Sequence, residues 1–186
     1  GLKSHVMRRM GGLREAEALG TASLRTLDEL GVSTYVVVAV AALVGAWVDS
    51  GNARAALTLL KERGFEGELP DFLHHQMLLM QRGRLRSSLG DPAGALRDHL
   101  ECGRRMERRG ANSPAQPWRS SAALAHLALG DRDAARALVE EELVLTREWG
   151  KAVPIGIALR ASGLVTGSVD VLAESVATLR NTPAVL

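Results

Sequence analysis

The residues able to do chemistry in this 186-residue chain are few: five histidines, one cysteine and the serine pair Ser120 and Ser121. His74 and His75 are adjacent, and neighbours on a helix point about 100° apart, so they cannot close on one metal ion as an i, i+4 pair does. His99 and His126 stand alone, with no carboxylate or thiolate at ligand spacing. No metal and no cofactor are expected on that basis. Cys102 is the sole cysteine, which rules out an intrachain disulfide and reads as a small packing residue on a helix. Ser120 and Ser121 have no His and Asp at a readable spacing. A positioned acid, base and nucleophile cannot be assembled, so catalysis is not expected.

The charged runs fare similarly. "RRMERR", residues 104–109, has the look of a phosphate-contacting patch. It ends a helix, however, where cations oppose the negative end of the dipole, and Glu101 lies within i, i+4 reach of Arg105. A solvated helix terminus is the expectation there, and "VEEEL", residues 139–143, reads as a solvated face. The net charge is +2, from 23 basic and 21 acidic residues. Without a clustered excess of positive charge, no direct nucleic-acid contact is expected. The lone cysteine and the lack of a charged, then apolar, leader predict a cytoplasmic setting. The first residue is Gly1 rather than methionine, which suggests a piece of a longer protein.

These residues must be positioned by helices. "VSTYVVVAVAALVGAWV", residues 32–48, carries no charge over 17 residues. That is too long for an ordinary strand, marginal for a bilayer span and unflanked by positive charge. A helix buried on all sides explains it best, and no membrane partner is expected. Elsewhere a punctuation mark recurs. Gly11, Gly51, Gly90, Gly130 and Gly167 stand 40, 39, 40 and 37 residues apart. The last four are followed by Asn52, Asp91, Asp131 and Ser168, all good helix N-caps. Five places after the first four glycines stand Ala16, Ala56, Ala95 and Ala135, while the last unit has Leu172.

Each mark reads as the turn of a helical hairpin. The glycine accepts the left-handed backbone that ends one helix, the polar residue starts the next, and the alanine lets the two approach. Gly31, Gly110 and Gly150 lie twenty residues after an anchor and close the second helix. The spacing predicts second helices near 13–30, 52–63, 91–109, 131–149 and 168–180. First helices are predicted near 33–49, 71–89, 117–129 and 153–165, with residues 1–10 the stump of another. The expected fold is all-α: one domain over 1–186, a tetratricopeptide-like α-solenoid of antiparallel hairpins with about nine helices. Its repeats would cover 1–31 in part, then 32–70, 71–112, 113–151 and 152–186.

The Gly, Asn/Asp, Ala phrase is similar to the centre of a tetratricopeptide repeat. It departs from that family in its period of 37–40 and in having Leu60, His99 and Val139 where an aromatic is usual. The string "RGRLRSSLGDPAGALRDHLECGRRMERRGANSPAQPWRSSAALAHLALGDRDAARALVEEELVLTREWG", residues 82–150, with "ALRASGLV" and "VLAESVATLRNTPAVL" behind it, resembles the helical region of large ATP-binding LuxR-type transcriptional regulators. The resemblance covers roughly residues 71–186. It implies a helical array between an ATPase and a helix-turn-helix module, neither of which is readable here: there is no G-x-x-x-x-G-K-[ST] loop and no recognition helix.

Such an array acts through its surface. If the tetratricopeptide register carries over, first helices present Val38, Ala41, Val48, Met77, Met80, Arg84, Leu124, Leu127, Ile157 and Leu164 to a partner. We expect partner binding at Val38, Ala41, Met77, Met80, Arg84, Leu124 and Leu127 in particular, with the methionines as adaptable contacts. An apolar groove of this kind either stays open or is packed shut by the superhelix. The expected function is regulatory: holding a protein, an effector or a neighbouring subunit, and relaying to the ATPase and DNA-binding modules of the parent chain. A freestanding tetratricopeptide-like scaffold is the alternative. Homodimerisation through exposed repeat ends stays open.

Overall fold

A residue that ends a helix in the left-handed region is strained unless it lacks a β-carbon, and the anchor glycines take that role. Gly130, for example, has φ 84° between two helices. The structure, a computed structural model, describes residues 2–111, 113–180, 182 and 183. Among them all regular structure is helical: α1 (Leu2–Arg9), α2 (Leu13–Glu29), α3 (Val36–Asp49), α4 (Ala53–Glu62), α5 (His75–Ser88), α6 (Pro92–Arg108), α7 (Trp118–Ala128), α8 (Arg132–Trp149), α9 (Ala152–Thr166) and α10 (Val169–Leu179). The expected helices are all present. Only α3 and α5 begin more than one residue later than the spacing predicts, because the chain turns over 32–35 and 71–74 before them. Among the described residues no helix is long and apolar enough to cross a membrane.

The caps follow from the sequence. The side chains of Asn52, Asp91, Asp131 and Ser168 accept hydrogen bonds from the backbone N–H groups of Ala55 (3.4 Å), Gly94 (2.8 Å), Ala134 (3.2 Å) and Val171 (3.3 Å). Each satisfies one of the donors that a helix start leaves unpaired. Ala16, Ala56, Ala95 and Ala135 are all fully buried, the placement expected of residues at a close helix crossing. Gly64 ends α4 with φ 70° and escaped the spacing argument, because α4 is only ten residues long.

The described residues fall into two compact units, 2–90 and 91–183. In the first, α1 packs on α2 and α3, α2 on α3, and α3 on α4 and α5. The apolar run 32–48 becomes α3, which buries nine of its residues, Val37 and Ala39 through Ala46. It is the central helix of that unit, which is why it has no polar face to show. Ser4 Oγ donates to the Ala16 carbonyl at 2.6 Å and joins α1 to α2. The loop after α4 is fastened by the buried Arg82, which donates to the carbonyls of Phe65 and Gly67, both at 2.6 Å.

In the second unit α6 packs on α7, α7 on α8 and α9, and α9 on α8 and α10. Its centre is Ala123, Ala135, Val139, Ala161 and Val165. Helix contacts in both units pair a missing side chain with a large one. A β-carbon on Gly20 would stand 2.8 Å from Leu43, one on Gly103 2.5 Å from the Trp118 ring, and one on Gly163 2.7 Å from Leu172. The last pair explains the one departure from the alanine rule. Leucine occupies the slot in the final hairpin, and the helix opposite gives way with glycine.

Gly103→Ala should therefore destabilise the second unit. Overpacking typically costs about 1–3 kcal/mol, against a gain of about 1 kcal/mol in helix propensity. A net loss of up to about 2 kcal/mol is expected in urea unfolding, partly recovered by adding Trp118→Leu. A more stable single variant would contradict the packing described.

Candidate functional site

The chain has three tryptophans, one tyrosine and two phenylalanines, and the tyrosine and both phenylalanines gather on His74 and His75 at the entry to α5. Tyr35 immediately precedes α3, and its ring meets His74 edge-on at 5.4 Å. His75, at the start of α5, lies edge-on to Phe65 at 6.3 Å and tilted against Phe72 at 5.8 Å. The turns over 32–35 and 71–74 put these residues ahead of the buried helices rather than within them. Tyr35 is 53% exposed, Phe72 66% and Leu73 59%. Large apolar side chains grouped in this way form an exposed, partly aromatic edge. The adjacent histidines serve as ring partners here. Among the described residues no group of three His, Cys, Asp or Glu could hold a metal ion.

The expected partner residues divide along α3 and α5. Val38 and Met77 are half-buried and lie one helical turn beyond Tyr35 and Leu73, so they continue the exposed edge inward. Ala41 and Met80, a further turn along, are buried. Arg84 is held by charge: it pairs with Asp49 and donates to Gln81 Oε1 at 2.9 Å. In the second unit Leu124 and Leu127 are half-buried against the Ala123–Val165 cluster. Of the remaining first-helix positions, Val48 and Ile157 are half-buried and Leu164 is exposed.

Two of the charged runs behave differently from expectation. Arg105 is not a solvated terminus residue. It is buried and takes Glu101 at 2.5 Å, the i, i+4 pair foreseen, while the exposed Arg104 shares the same carboxylate. Their two guanidinium groups hold the Glu101 carboxyl below its usual range. Glu142, within the run expected to be a solvated face, is 1% exposed. The sign of its burial was in the spacing: Ala135, Val139, Glu142 and Thr146 form one helical stripe on α8, and all four are buried.

Arg119 of α7 answers this acid. Its guanidinium lies 4.3 Å from the centroid of the Trp118 ring and pairs with Glu141 at 2.8 Å and Glu107 at 3.1 Å. Glu142 Oε2 is 3.8 Å away, beyond hydrogen-bond reach, and neither Glu142 oxygen has a hydrogen-bond partner. Burial raises the Glu142 carboxyl to about 7, Arg119 opposes that rise and the Glu141 charge adds to it. Burial likewise pushes the Cys102 thiol up to about 12, so it is a packing group and not a nucleophile at neutral pH.

Comparison with known protein families, curated proteins and solved structures finds no match.

Because the folded Glu142 keeps its proton up to about pH 7 while an unfolded glutamate releases it near 4.5, the folded state binds the extra proton between those values. Stability contributed by that proton is present below about pH 4.5 and is lost as pH rises through 7. Glu142→Gln should flatten this decline when unfolding is measured by circular dichroism from pH 4.5 to 8. An unchanged slope would show that Glu142 is charged in the fold.

Proposed function

We propose that this chain is a helical-repeat interaction segment of a large ATP-binding LuxR-type transcription regulator. It is a tetratricopeptide-like α-solenoid that holds a protein or effector partner in the cytoplasm and performs no catalysis of its own. The observation that carries the interaction reading is the exposed edge formed by Tyr35, Phe72 and Leu73 and continued by Val38 and Met77. The solenoid reading is supported inside each unit by first helices that touch successive first helices, α1 on α3, α3 on α5 and α7 on α9. The regulator reading rests on the resemblance of residues 71–186.

Relay to ATPase and DNA-binding modules requires two packings of the array with different affinities for the partner. An apolar partner segment laid on the α3–α5 edge supplies such a difference if it fits one packing better. A short freestanding gene product with the same edge would be a scaffold instead.

Two experiments test this. Reading the gene on both sides of the segment should reveal a phosphate-binding loop upstream and a helix-turn-helix downstream; a stop codon shortly after Leu186 would overturn the regulator reading. In the full-length regulator, Leu73→Asp combined with Met77→Glu should reduce effector-dependent transcription by ten- to a hundred-fold, the range of losses at interface hot spots. Helicity should be unchanged, since neither side chain is buried in the core. Normal activation by that variant would remove the edge from the mechanism.

A further inference from the structure

Among the described residues every second helix but the last has a first helix laid against it: α3 on α2, α5 on α4, α7 on α6 and α9 on α8. The terminal helices lack that neighbour, since α10 packs on α9 alone and α1 only on α2 and α3. Matching positions record the loss. Nine residues after the anchor glycine stand Gly20, Leu60, His99 and Val139, all buried, whereas Val176 in the same place on α10 is 60% exposed. In the inner hairpins that position faces the next first helix. A β-carbon on Gly20 would meet Leu43 of α3, and Val139 clusters with Ala161 and Val165 of α9. Five residues before the anchor, Ala46, Leu85, Ala125 and Ser162 are buried, whereas Val6 on α1 is 47% exposed.

Each orphaned position lies in an apolar stripe. Val169 and Ala173 precede Val176 at helical spacing and are exposed with it, and Leu2 and Met10 flank Val6 one turn to either side, exposed likewise. The charges beside the two stripes are opposite in sign. α1 carries Lys3, Arg8 and Arg9 and no acid, while α10 carries Asp170 and Glu174 and no base.

We propose that α10 of one copy of this chain docks on α1 of another, repeating between molecules the contact that α8 makes with α9 within one. The stripes match in kind, a second helix without a following first helix and a first helix without a preceding second one. Charge selects the same pairing, because α1 on α1 or α10 on α10 would set like charges together. Among the described residues no two second helices touch within either unit, so α10 on α10 would also be a contact foreign to the fold. A head-to-tail contact leaves one face of each kind unused, and copies add until a ring closes. The proposal rests on the hairpin order of the solenoid reading and not on the regulator reading. It uses neither α3 nor α5, so it and the partner edge can fail separately.

The test is sedimentation of the intact chain from about 1 μM to about 1 mM, the range in which weak interfaces saturate. Mass rising with concentration to a dimer or beyond is expected. Val176→Glu and Val6→Glu should each weaken association at least about ten-fold, as a charge placed in an apolar contact does. Helicity should be unchanged, since both side chains are already exposed. An equimolar mixture of the two variants should recover association and stop at a dimer, because one variant keeps the α10 face and the other the α1 face. Val169→Asp and Leu2→Glu repeat the design on the most exposed member of each stripe if a first variant fails to fold. A constant monomer mass, variants that assemble like the original chain, or a mixture no heavier than its components would overturn the proposal.

Discussion

Two helices joined by a three-residue turn must lie close along their length, and the rest of this structure depends on how that closeness is permitted. Helices cross at about 8–10 Å according to the side chains between them. In the hairpins α1–α2, α3–α4 and α7–α8 a fully buried alanine, Ala16, Ala56 or Ala135, takes the crossing point. Elsewhere one helix contributes only hydrogen and its neighbour contributes bulk: Gly20 with Leu43, Gly103 with Trp118, Gly156 with Leu179, Gly163 with Leu172. Such contacts are complementary in pairs, so neither member can change size alone. They also explain how a core with few aromatics reaches close packing.

That economy of bulk has a consequence at the surface. With one exception, the intermediate Phe65, the phenylalanines and tyrosine of the chain are not used inside; Tyr35 and Phe72 stand exposed at the entries to α3 and α5. Their position ahead of two buried helices gives them a rigid base, since α3 is immobilised by packing on four neighbours. In the proposed partner surface little side-chain entropy would be lost on binding, because aromatic rings have few rotatable bonds.

Charge is distributed on the same logic. Helices that pack on several sides leave few positions for water, so some polar residues on core-facing stripes are carried in. Arg119 is buried among Trp118 and three glutamates, and Glu142 is buried beside it without a hydrogen bond. The acid relieves the desolvation cost by holding its proton more tightly, as a buried carboxyl does. At Asp49 the arrangement is reversed, with one carboxylate serving two arginines.

The sequence by itself determined the punctuation and therefore the helices. Glycine, a capping side chain and an alanine five places on act through local backbone geometry and hydrogen bonds within one turn, which need no knowledge of neighbours. That is why the starts of α4, α6, α8 and α10 were legible, and why the uncharged run of α3 could be read as fully buried. The candidate site was legible only in part. Val38 and Met77 were reached through helical register, whereas the gathering of Tyr35, Phe65, Phe72, His74 and His75 joins residues up to forty apart and depends on α3 lying against α5. The helical spacing marks the stripe that carries Glu142, but only the tertiary structure decided that this stripe faces the core. Glu142 and Glu141 are adjacent and chemically identical, yet one is buried and the other exposed, because burial is set by the helices that pack around a face and not by the residue that occupies it.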